Sequence, residues 1–455
     1  MSRSLTLSFL LLGAASCSAA DPALDDGADG PAISDVAAVA VSPRNVRLSW
    51  HVAGDAELTI ERALGDEPFA VVAIRPAARG RWLDLGLTPE RSYRYRLRAC
   101  HLGSCSEPVT TEAVATAASQ LPGLDVKLPA ADDSDDLIVL SVLRFSLAPV
   151  TEGHAAVLDR QGHVMWEYTP AEENWVTEVQ PLPDHTLAVG LGLNMVQLDL
   201  DLRPVWQPTF TSAEHDFDRM QDGRTILLAF ETFESSPGTS VLGDMVRIIN
   251  RDPERIDWEW RGRDHIPLTD VNAADFQVSP WGLGHDWTHF NSVTFDEPAS
   301  TIYVNVRNLD RLYAVAYPSG DVRWTMGQGG DFGAGLWFHS HDPEFLEPGH
   351  MLVFDNGLWR PGAPPNFSRV IEVEYDPLAR TAAIVWEYRE TPDFFAFAMG
   401  SVQTQPSGNI LVATGTEGRV LELTRAKEKT LELAFANPYC VYKAVAVPRS
   451  FFTEW

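Results

Sequence analysis

The feature that most constrains the fold is an internal repeat in the C-terminal two thirds of the chain. A short segment ending in tryptophan or another aromatic residue recurs at 162–168, 204–206, 255–260, 320–324, 383–388 and 431–435. The spacing of about 40 to 66 residues is close to the repeat length of β-propeller blades. Each blade is a four-stranded sheet whose innermost strand lines a central channel. Six copies therefore predict a six-bladed β-propeller within residues 137–455.

A second element of the repeat places histidines at one position. In two copies a histidine stands eight residues before a turn glycine, and in a third it stands seven before an aspartate at the matching place; these are His215, His341 and His289. The same count reaches Gly400 and Thr177 in two other copies. Equivalent positions on different blades converge on the channel axis, so the three histidines are predicted to face one pocket.

Three imidazoles in one pocket are compatible with metal binding, with general acid–base catalysis or with a histidine nucleophile. Asp216 and Asp342 each follow a histidine directly and would suit the carboxylate partners of metal ligands. Arg307 interrupts an apolar strand and favours an anion instead, because its fork of donors matches a tetrahedral oxyanion and repels a metal ion. The structural alternatives are a salt bridge from Arg307 to a neighbouring blade and histidines copied as structural residues of the repeat.

Residues 33–116 have the short, evenly spaced strands of a small β-sandwich. Trp50 and Tyr93 resemble the core tryptophan and the corner tyrosine of a fibronectin type III module. Cys100 and Cys105 flank a turn and are predicted to form a hairpin disulfide in an oxidising compartment. A flexible tether at 21–32 precedes this module, and a linker at 117–136 follows it.

The N-terminus has the three parts of an export signal, predicted at residues 1–20. Arg3 precedes an apolar run at 5–12, and small residues lead to Cys17. Cys17 is the predicted lipidation site of a lipoprotein, with ordinary cleavage near residue 19 or 20 as the alternative. We therefore expect an exported bacterial protein, periplasmic or at the cell surface, with a lipid anchor at the membrane if Cys17 is modified. The formal net charge of −28 argues against nucleic acid as a partner.

Two segments carry a resemblance to the bacterial aryl sulfotransferases. The first is Asp-Trp-Thr-His-Phe-Asn-Ser-Val at 286–293, followed by Val-Arg-Asn at 306–308. The second is His341-Asp342, followed by Phe-Asp-Asn-Gly at 354–357. The closing Val-Tyr-Lys-Ala at 441–444 is also similar. The resemblance covers about 137 to 450 and leaves out the fibronectin-like module.

This resemblance implies a cofactor-independent enzyme without a metal, which moves a sulfuryl group from a small aromatic sulfate donor to a phenolic acceptor. One histidine of the family is transiently sulfated, and His341 is similar to that nucleophile. His289 and Arg307 are similar to the groups that bind the sulfuryl oxygens and handle phenol protons, and His215 is similar to the remaining tunnel histidine. Candidate substrate contacts beside the motifs are Trp287, Asn291, Asn308, Asn356 and Trp359.

Two other functions remain open from the sequence. One is a catalytically inert surface propeller used for binding or adhesion, which a fibronectin-like module and a lipid anchor would suit. The other is a histidine-bound metal enzyme. The chain keeps all four tunnel residues that the resemblance identifies, which favours the sulfotransferase.

Overall fold

The chain is almost entirely built from β-strands. The computed structural model describes residues 30–132, 134–144, 152–171, 175–209, 212–279, 282–333, 335–362 and 365–454. Among these residues the α-helices are the single turns α1 (Gly262–His265) and α2 (Ser450–Thr453), and no helix is long and apolar enough to cross a membrane. The predicted all-β class is confirmed. The predicted signal at 1–20, with Cys17, and most of the tether at 21–32 lie outside the described residues.

The N-terminal module is a β-sandwich. Its strands are β1 (Ile33–Ser42), β2 (Asn45–Val52), β3 (Glu57–Leu64), β4 (Ala70–Pro76), β5 (Arg81–Asp84), β6 (Ser92–His101), β7 (Ser104–Cys105), β8 (Val109–Thr110) and β9 (Val114–Ala115). One sheet has the order β1-β2-β5, and the other has β4-β3-β6-β7 with β8 and β9 also paired to β6. Alternate residues such as Leu48, Trp50 and Ile60 point inward and form a common core.

Two details of the sandwich agree with the sequence. The Tyr93 hydroxyl donates to the Thr88 carbonyl at 3.2 Å and accepts from the Thr88 amide at 2.9 Å, as a corner tyrosine does. Cys100 and Cys105 pair across β6 and β7 and form the predicted disulfide. The fibronectin type III assignment itself stays a prediction.

The sandwich packs directly on the propeller. Arg44 forms a salt bridge with the buried Glu167 at 3.1 Å, and Arg47 forms one with Asp201. Leu83 of the sandwich shares a core with Trp166 of the propeller. Charged pairs and apolar burial therefore both fix the module against the propeller.

The propeller strands were located in chain order as follows. The first half contains β10 (Leu124–Leu128), β11 (Leu137–Arg144), β12 (Gly153–Leu158), β13 (Val164–Tyr168), β14 (Val176–Leu182), β15 (Thr186–Leu191), β16 (Asn194–Leu198), β17 (Pro204–Trp206), β18 (Ala213–Arg219), β19 (Thr225–Ser236), β20 (Thr239–Arg251), β21 (Glu254–Arg261) and β22 (His285–Asp286). The second half contains β23 (Phe290–Asp296), β24 (Thr301–Val306), β25 (Arg311–Ala316), β26 (Val322–Gly327), β27 (His341–Phe345), β28 (His350–Asp355), β29 (Arg369–Asp376), β30 (Thr381–Tyr388), β31 (Ser401–Thr404), β32 (Ile410–Ala413), β33 (Arg419–Leu423), β34 (Lys429–Phe435) and β35 (Tyr439–Val447).

These strands form six antiparallel sheets within the described residues, here called blades one to six. Blade one has the order β13-β12-β11-β35, blades two to five are β14 to β17, β18 to β21, β23 to β26 and β27 to β30, and blade six is β10-β34-β33-β32-β31. Each aromatic repeat copy lies on β13, β17, β21, β26, β30 or β34, far from the channel. The C-terminal β35 pairs with β11 as the innermost strand of blade one, so the two ends of the propeller meet in one sheet.

One predicted boundary is wrong. Residues 117–136 were expected to be a linker, but β10 lies within them and pairs with β34 as the outer strand of blade six. Its exposed residues Val126 and Leu128 give it the weak apolar pattern of an edge strand, which explains why the sequence did not reveal it.

The innermost strands begin with an irregularity that positions the site. The pairing register shifts across residues 177–178 of β14, 215–216 of β18, 291 of β23, 342–343 of β27 and 442–443 of β35. A β-bulge breaks the strict alternation of side chains. Neighbouring residues such as His215 and Asp216 therefore both line the channel.

Candidate functional site

The three register-matched histidines lie at the starts of three innermost strands. His215 is in β18, His289 directly precedes β23, and His341 begins β27. His215 and His289 have φ values of 55° and 53°, in the left-handed region that non-glycine residues seldom adopt. Such strained conformations concentrate at functional sites. In blade six the equivalent residue is Gly400, where a Cβ atom would lie 2.5 Å from the Phe354 ring.

His341 is held in one tautomer by two hydrogen bonds. Its Nδ1 lies 2.8 Å from Asn356 Oδ1, and its Nε2 accepts from the Met399 amide at 3.1 Å. The Asn356 amide group donates to the carbonyls of Ala396 and Met399, so Oδ1 is the atom that faces His341. Because that oxygen only accepts, Nδ1 carries the proton and the lone pair is on Nε2.

His341 is neutral under ordinary conditions. Burial holds the pKa of His341 well below its usual value, the positive charge of Arg307 lowers it further, and the bond to Asn356 only partly opposes them. A neutral imidazole with a lone pair on Nε2 is the form that can attack an electrophile.

His215 and His289 face each other beside this residue. Their ring centroids are 4.7 Å apart in an edge-to-face arrangement. His289 Nδ1 lies 2.7 Å from Asp286 Oδ2, the arrangement in which a carboxylate orients an imidazole. Burial lowers the pKa of His215, which keeps that ring neutral, although Asp244 and Asp286 oppose the shift. Burial also opposes ionisation of Asp286, but the pKa of Asp286 is lowered because His289 and Arg307 outweigh it.

Arg307 supplies the positive charge of the site. It follows β24 in a short 3-10 turn, and its amide donates to the His289 carbonyl at 3.1 Å. Among the described residues its side chain makes a hydrogen bond only through Nη1, to Asn308 Oδ1 at 2.6 Å, and lies 3.9 Å from Asp275. Burial lowers the pKa of Arg307 against the pull of nearby carboxylates, yet a guanidinium stays charged in proteins. Most of its donor fork therefore remains available for an anion.

A small cavity lies next to the histidines, with about 10 Å³ of free volume, room for about one water molecule. It is lined by Glu178, His215, Asp216, Asn291, His341, Asp342, Gly400, Tyr442 and Lys443. Lys443 Nζ lies 2.8 Å from Glu178, 3.3 Å from Asp216 and 3.2 Å from Asp342. Burial opposes the charge of Lys443, but the carboxylates raise the pKa of this amine well above its usual value. Sequence reasoning missed this cluster, except that Asp216 and Asp342 were considered as partners of a metal.

Tyr442 was also missed as a site residue, although its strand was noted. It is 8% exposed, lines the cavity, and its hydroxyl has no hydrogen-bond partner among the described residues. Burial and the charges of Glu178 and Asp216 raise the pKa of Tyr442 well above its usual value, so the phenol is neutral. An unpaired buried hydroxyl beside two histidines is a donor available to a ligand.

A second layer supports Arg307 from outside the channel. Asp275 lies in the segment between blades three and four, and its carboxylate is 2.9 Å from His339 Nε2. His339 is fully buried, and Asp310 Oδ1 lies 3.2 Å from its Nδ1. Burial opposes protonation, but the two carboxylates raise the pKa of His339. His339 was expected to be secondary because it alternates with His341, yet its carbonyl also lies 3.2 Å from His341 Nδ1.

The five predicted substrate contacts occupy different surroundings. Trp287 is 1% exposed in the blade core, with its indole N–H donating to the Asp270 carbonyl. Asn291 lines the cavity but donates to the Ser340 carbonyl, Asn308 bonds Arg307, and Asn356 bonds His341. Trp359 is 53% exposed and hydrogen-bonds Asp275. Substrate contact by these residues stays a prediction, and Trp359 presents the most accessible aromatic surface of the five.

The structure thus brings His215, His289, Arg307 and His341 together. Within the described part of the chain, no group of three or more His, Cys, Asp or Glu side chains is arranged to hold a metal ion. Instead, Asp216 and Asp342 pair with Lys443. A neutral imidazole, a free guanidinium edge and an unpaired phenol form an arrangement that can bind an anion and attack it.

Comparisons with known proteins identify a family for the propeller. The family model described as "Arylsulfotransferase (ASST)" matches residues 129–437. No curated protein matches the sequence. Similar solved structures include a protein of unknown function from Bacteroides caccae, with a TM-score of 0.47 and 9% identity over 69% of this chain and 99% of that one. Another is virginiamycin B lyase from Staphylococcus aureus, with a TM-score of 0.36 and 8% identity over 72% of this chain and 89% of that one.

Proposed function

The chain belongs to the arylsulfotransferase family, and from that premise we propose that it transfers a sulfuryl group from an aromatic sulfate ester to a phenol through a sulfated His341. The observation that carries the proposal is the state of His341. Its Nδ1 proton is held by Asn356, and its Nε2 lone pair lies beside the cavity. A nucleophile needs that tautomer and that charge state.

In the first half-reaction, Nε2 of His341 attacks sulfur, and the bond from sulfur to the aryl oxygen breaks. Sulfuryl transfer resembles phosphoryl transfer in placing negative charge on the non-bridging oxygens. Arg307 has donors available for those oxygens and is held by Asn308 and Asp275. The Met399 amide occupies the Nε2 lone pair at 3.1 Å, so productive donor binding must displace this hydrogen bond.

In the second half-reaction, a phenol oxygen attacks the sulfated imidazole and restores neutral His341. His289 is a suitable group to face the phenol oxygen, because Asp286 orients its ring and leaves Nε2 toward the site. His215 packs against it at 4.7 Å and limits its rotation. The proposed roles are therefore nucleophile for His341, oxyanion binding for Arg307 and phenol contact for His289.

The aryl rings of donor and acceptor need an apolar surface. We assign this role to Trp359, whose half-exposed indole is tied to Asp275, itself 3.9 Å from Arg307. That short path corresponds to the size of an aryl sulfate whose sulfate group sits on Arg307. The half-exposed indole would then contact the ring by stacking.

The proposal includes the cellular location. The Cys100–Cys105 disulfide is of a kind that persists in oxidising compartments, which supports export to the periplasm or cell surface. Expression in a bacterium with a labelled fatty acid tests the anchor. We expect label on the wild-type protein and none on Cys17→Ala, and an unlabelled wild type would contradict lipidation at Cys17.

Steady-state kinetics with 4-nitrophenyl sulfate as donor and phenol as acceptor test the proposed reaction. We expect nitrophenol release that depends on the acceptor, with parallel lines in double-reciprocal plots, the pattern of a covalent intermediate. His341→Ala should abolish release. Intersecting lines would instead indicate direct transfer between two bound substrates, and an inactive wild-type protein would favour a binding role.

A further inference from the structure

Beneath the histidines, a buried charged cluster remains that the proposed reaction does not use. Lys443 from blade one contacts one carboxyl group from each of blades two, three and five: Glu178, Asp216 and Asp342. Glu178 is fully buried, and Asp216 is 5% exposed. One ammonium group cannot balance three carboxylates in a site without bulk water.

Geometry shows where the extra proton is held. Glu178 and Asp216 hydrogen-bond each other, and two carboxyl groups can do so only when one is protonated. Asp216 accepts from the Val293 amide at 2.7 Å and from Lys443 at 3.3 Å, as an ionised acceptor does. Burial and the charge of Asp216 raise the pKa of Glu178 well above its usual value. Glu178 is therefore the protonated member of the pair.

The pair is connected to the reacting histidine. The same cavity of about 10 Å³ touches Glu178 and Asp216 on one side and His341 on the other, with room for about one water molecule between them. The titratable groups that share it with Glu178 are Asp216, Asp342, Lys443, Tyr442, His215 and His341. Of these, His341 has a strongly lowered pKa, so it cannot itself hold a spare proton.

We infer that the Glu178–Asp216 pair is the proton-holding site of the transfer reaction, an inference that rests on the proposed function. In the first half-reaction, the nitrogen–sulfur bond forms, the sulfur–oxygen bond breaks, and the leaving aryl oxygen takes the Glu178 proton to become a phenol. The cluster then holds three carboxylates against Lys443. In the second half-reaction, the acceptor phenol returns its proton to the pair as its oxygen bonds sulfur and the nitrogen–sulfur bond breaks. Protons balance over the cycle.

Glu178→Gln tests this site, because glutamine keeps a hydrogen-bond donor toward Asp216 but has no proton to release. The assay is single-turnover phenol release from two donors. Phenyl sulfate leaves as a phenolate whose conjugate acid has a pKa of about 10 and needs a proton. 4-Nitrophenyl sulfate leaves as a stable anion. We expect a loss of about 100-fold for phenyl sulfate, within the usual contribution of a general acid, and a change of less than about threefold for 4-nitrophenyl sulfate.

Glu344→Gln is the matched control, since Glu344 is a carboxylate of blade five that bonds the Thr404 amide and lies outside the cavity. It should slow neither donor. Equal slowing of both donors by Glu178→Gln, or no slowing of either, would overturn the inference while leaving His341 sulfation intact. An inactive wild-type protein would instead overturn the proposed function.

If thermal unfolding shows that Glu178→Gln does not fold, the leaving-group dependence of the wild-type protein decides. A series of aryl sulfates should give a shallow fall of single-turnover rate with phenol pKa, because the leaving oxygen receives a proton. A steep fall would contradict proton delivery from this pair.

Discussion

Replacing Arg307 with leucine should separate transition-state binding from nucleophile strength. Only Nη1 of this guanidinium makes a side-chain hydrogen bond among the described residues, so the rest of the fork can reach sulfuryl oxygens. Removing a single oxyanion donor costs about 2.7–4 kcal/mol, roughly 100- to 1,000-fold in rate. Arg307 offers more than one donor, so we expect a loss of about 1,000-fold.

The same substitution should move the pH dependence of the reaction. The charge of Arg307, together with burial, holds down the pKa of His341, and without that charge the pKa rises. The acid limb of the rate profile should therefore shift to higher pH in Arg307→Leu. Arg307→Lys keeps a positive charge, so its acid limb should stay in place, while its rate remains low because an ammonium lacks the two-donor edge.

The assay is single-turnover nitrophenol release across a pH series, with thermal unfolding as the check on folding. A loss below about fivefold in Arg307→Leu, together with an unmoved acid limb, would refute the reasoning. It would mean that Arg307 serves as a structural partner of Asp275, from which it lies 3.9 Å.

Three more predictions follow from the site. Asn356→Leu loses three hydrogen bonds worth about 1 kcal/mol each, so urea unfolding should show a protein about 3 kcal/mol less stable with a slower nitrophenol burst; an unchanged burst would contradict the positioning of His341. Trp359→Ala should raise KM for the donor about 2- to 10-fold at constant kcat, as expected for one stacking contact, and Trp359→Phe should retain most of the affinity; equal KM values would remove Trp359 from the substrate site. Because the pKa of His341 is held well below 6.5, the single-turnover rate of the wild-type protein should stay level as the pH falls through 6.5 and decline only below that, whereas a decline centred near 6.5 would mean that His341 titrates like a histidine in water.

The outer parts of the propeller were predictable because their sequence pattern is local. Aromatic residues such as Trp166 and Trp324 lie on the outermost strands, where they pack between neighbouring blades, and this packing imposes a repeat that can be read along the chain. The histidine register was predictable for the same reason. A residue at one position of each repeat occupies one position in each blade, whatever the length of the loops between.

The inner cluster was not predictable from alternation. A regular strand sends neighbouring side chains to opposite faces, so Asp216 should point away from the pocket if His215 points into it. The bulge in β18 places both residues on the cavity, and similar bulges bring in Glu178 and Lys443. A bulge has no reliable sequence signature when no glycine marks it. The link from Asp275 to Arg307 was equally hidden, because Asp275 lies in a segment without periodicity.

The most direct test of the central claim is mass spectrometry of the protein quenched after mixing with 4-nitrophenyl sulfate. One added SO₃ group should appear on the peptide that carries His341, disappear when phenol is added, and be absent from His341→Ala. Label on a peptide carrying another residue, or sulfated phenol formed without any labelled protein, would contradict sulfuryl transfer through His341.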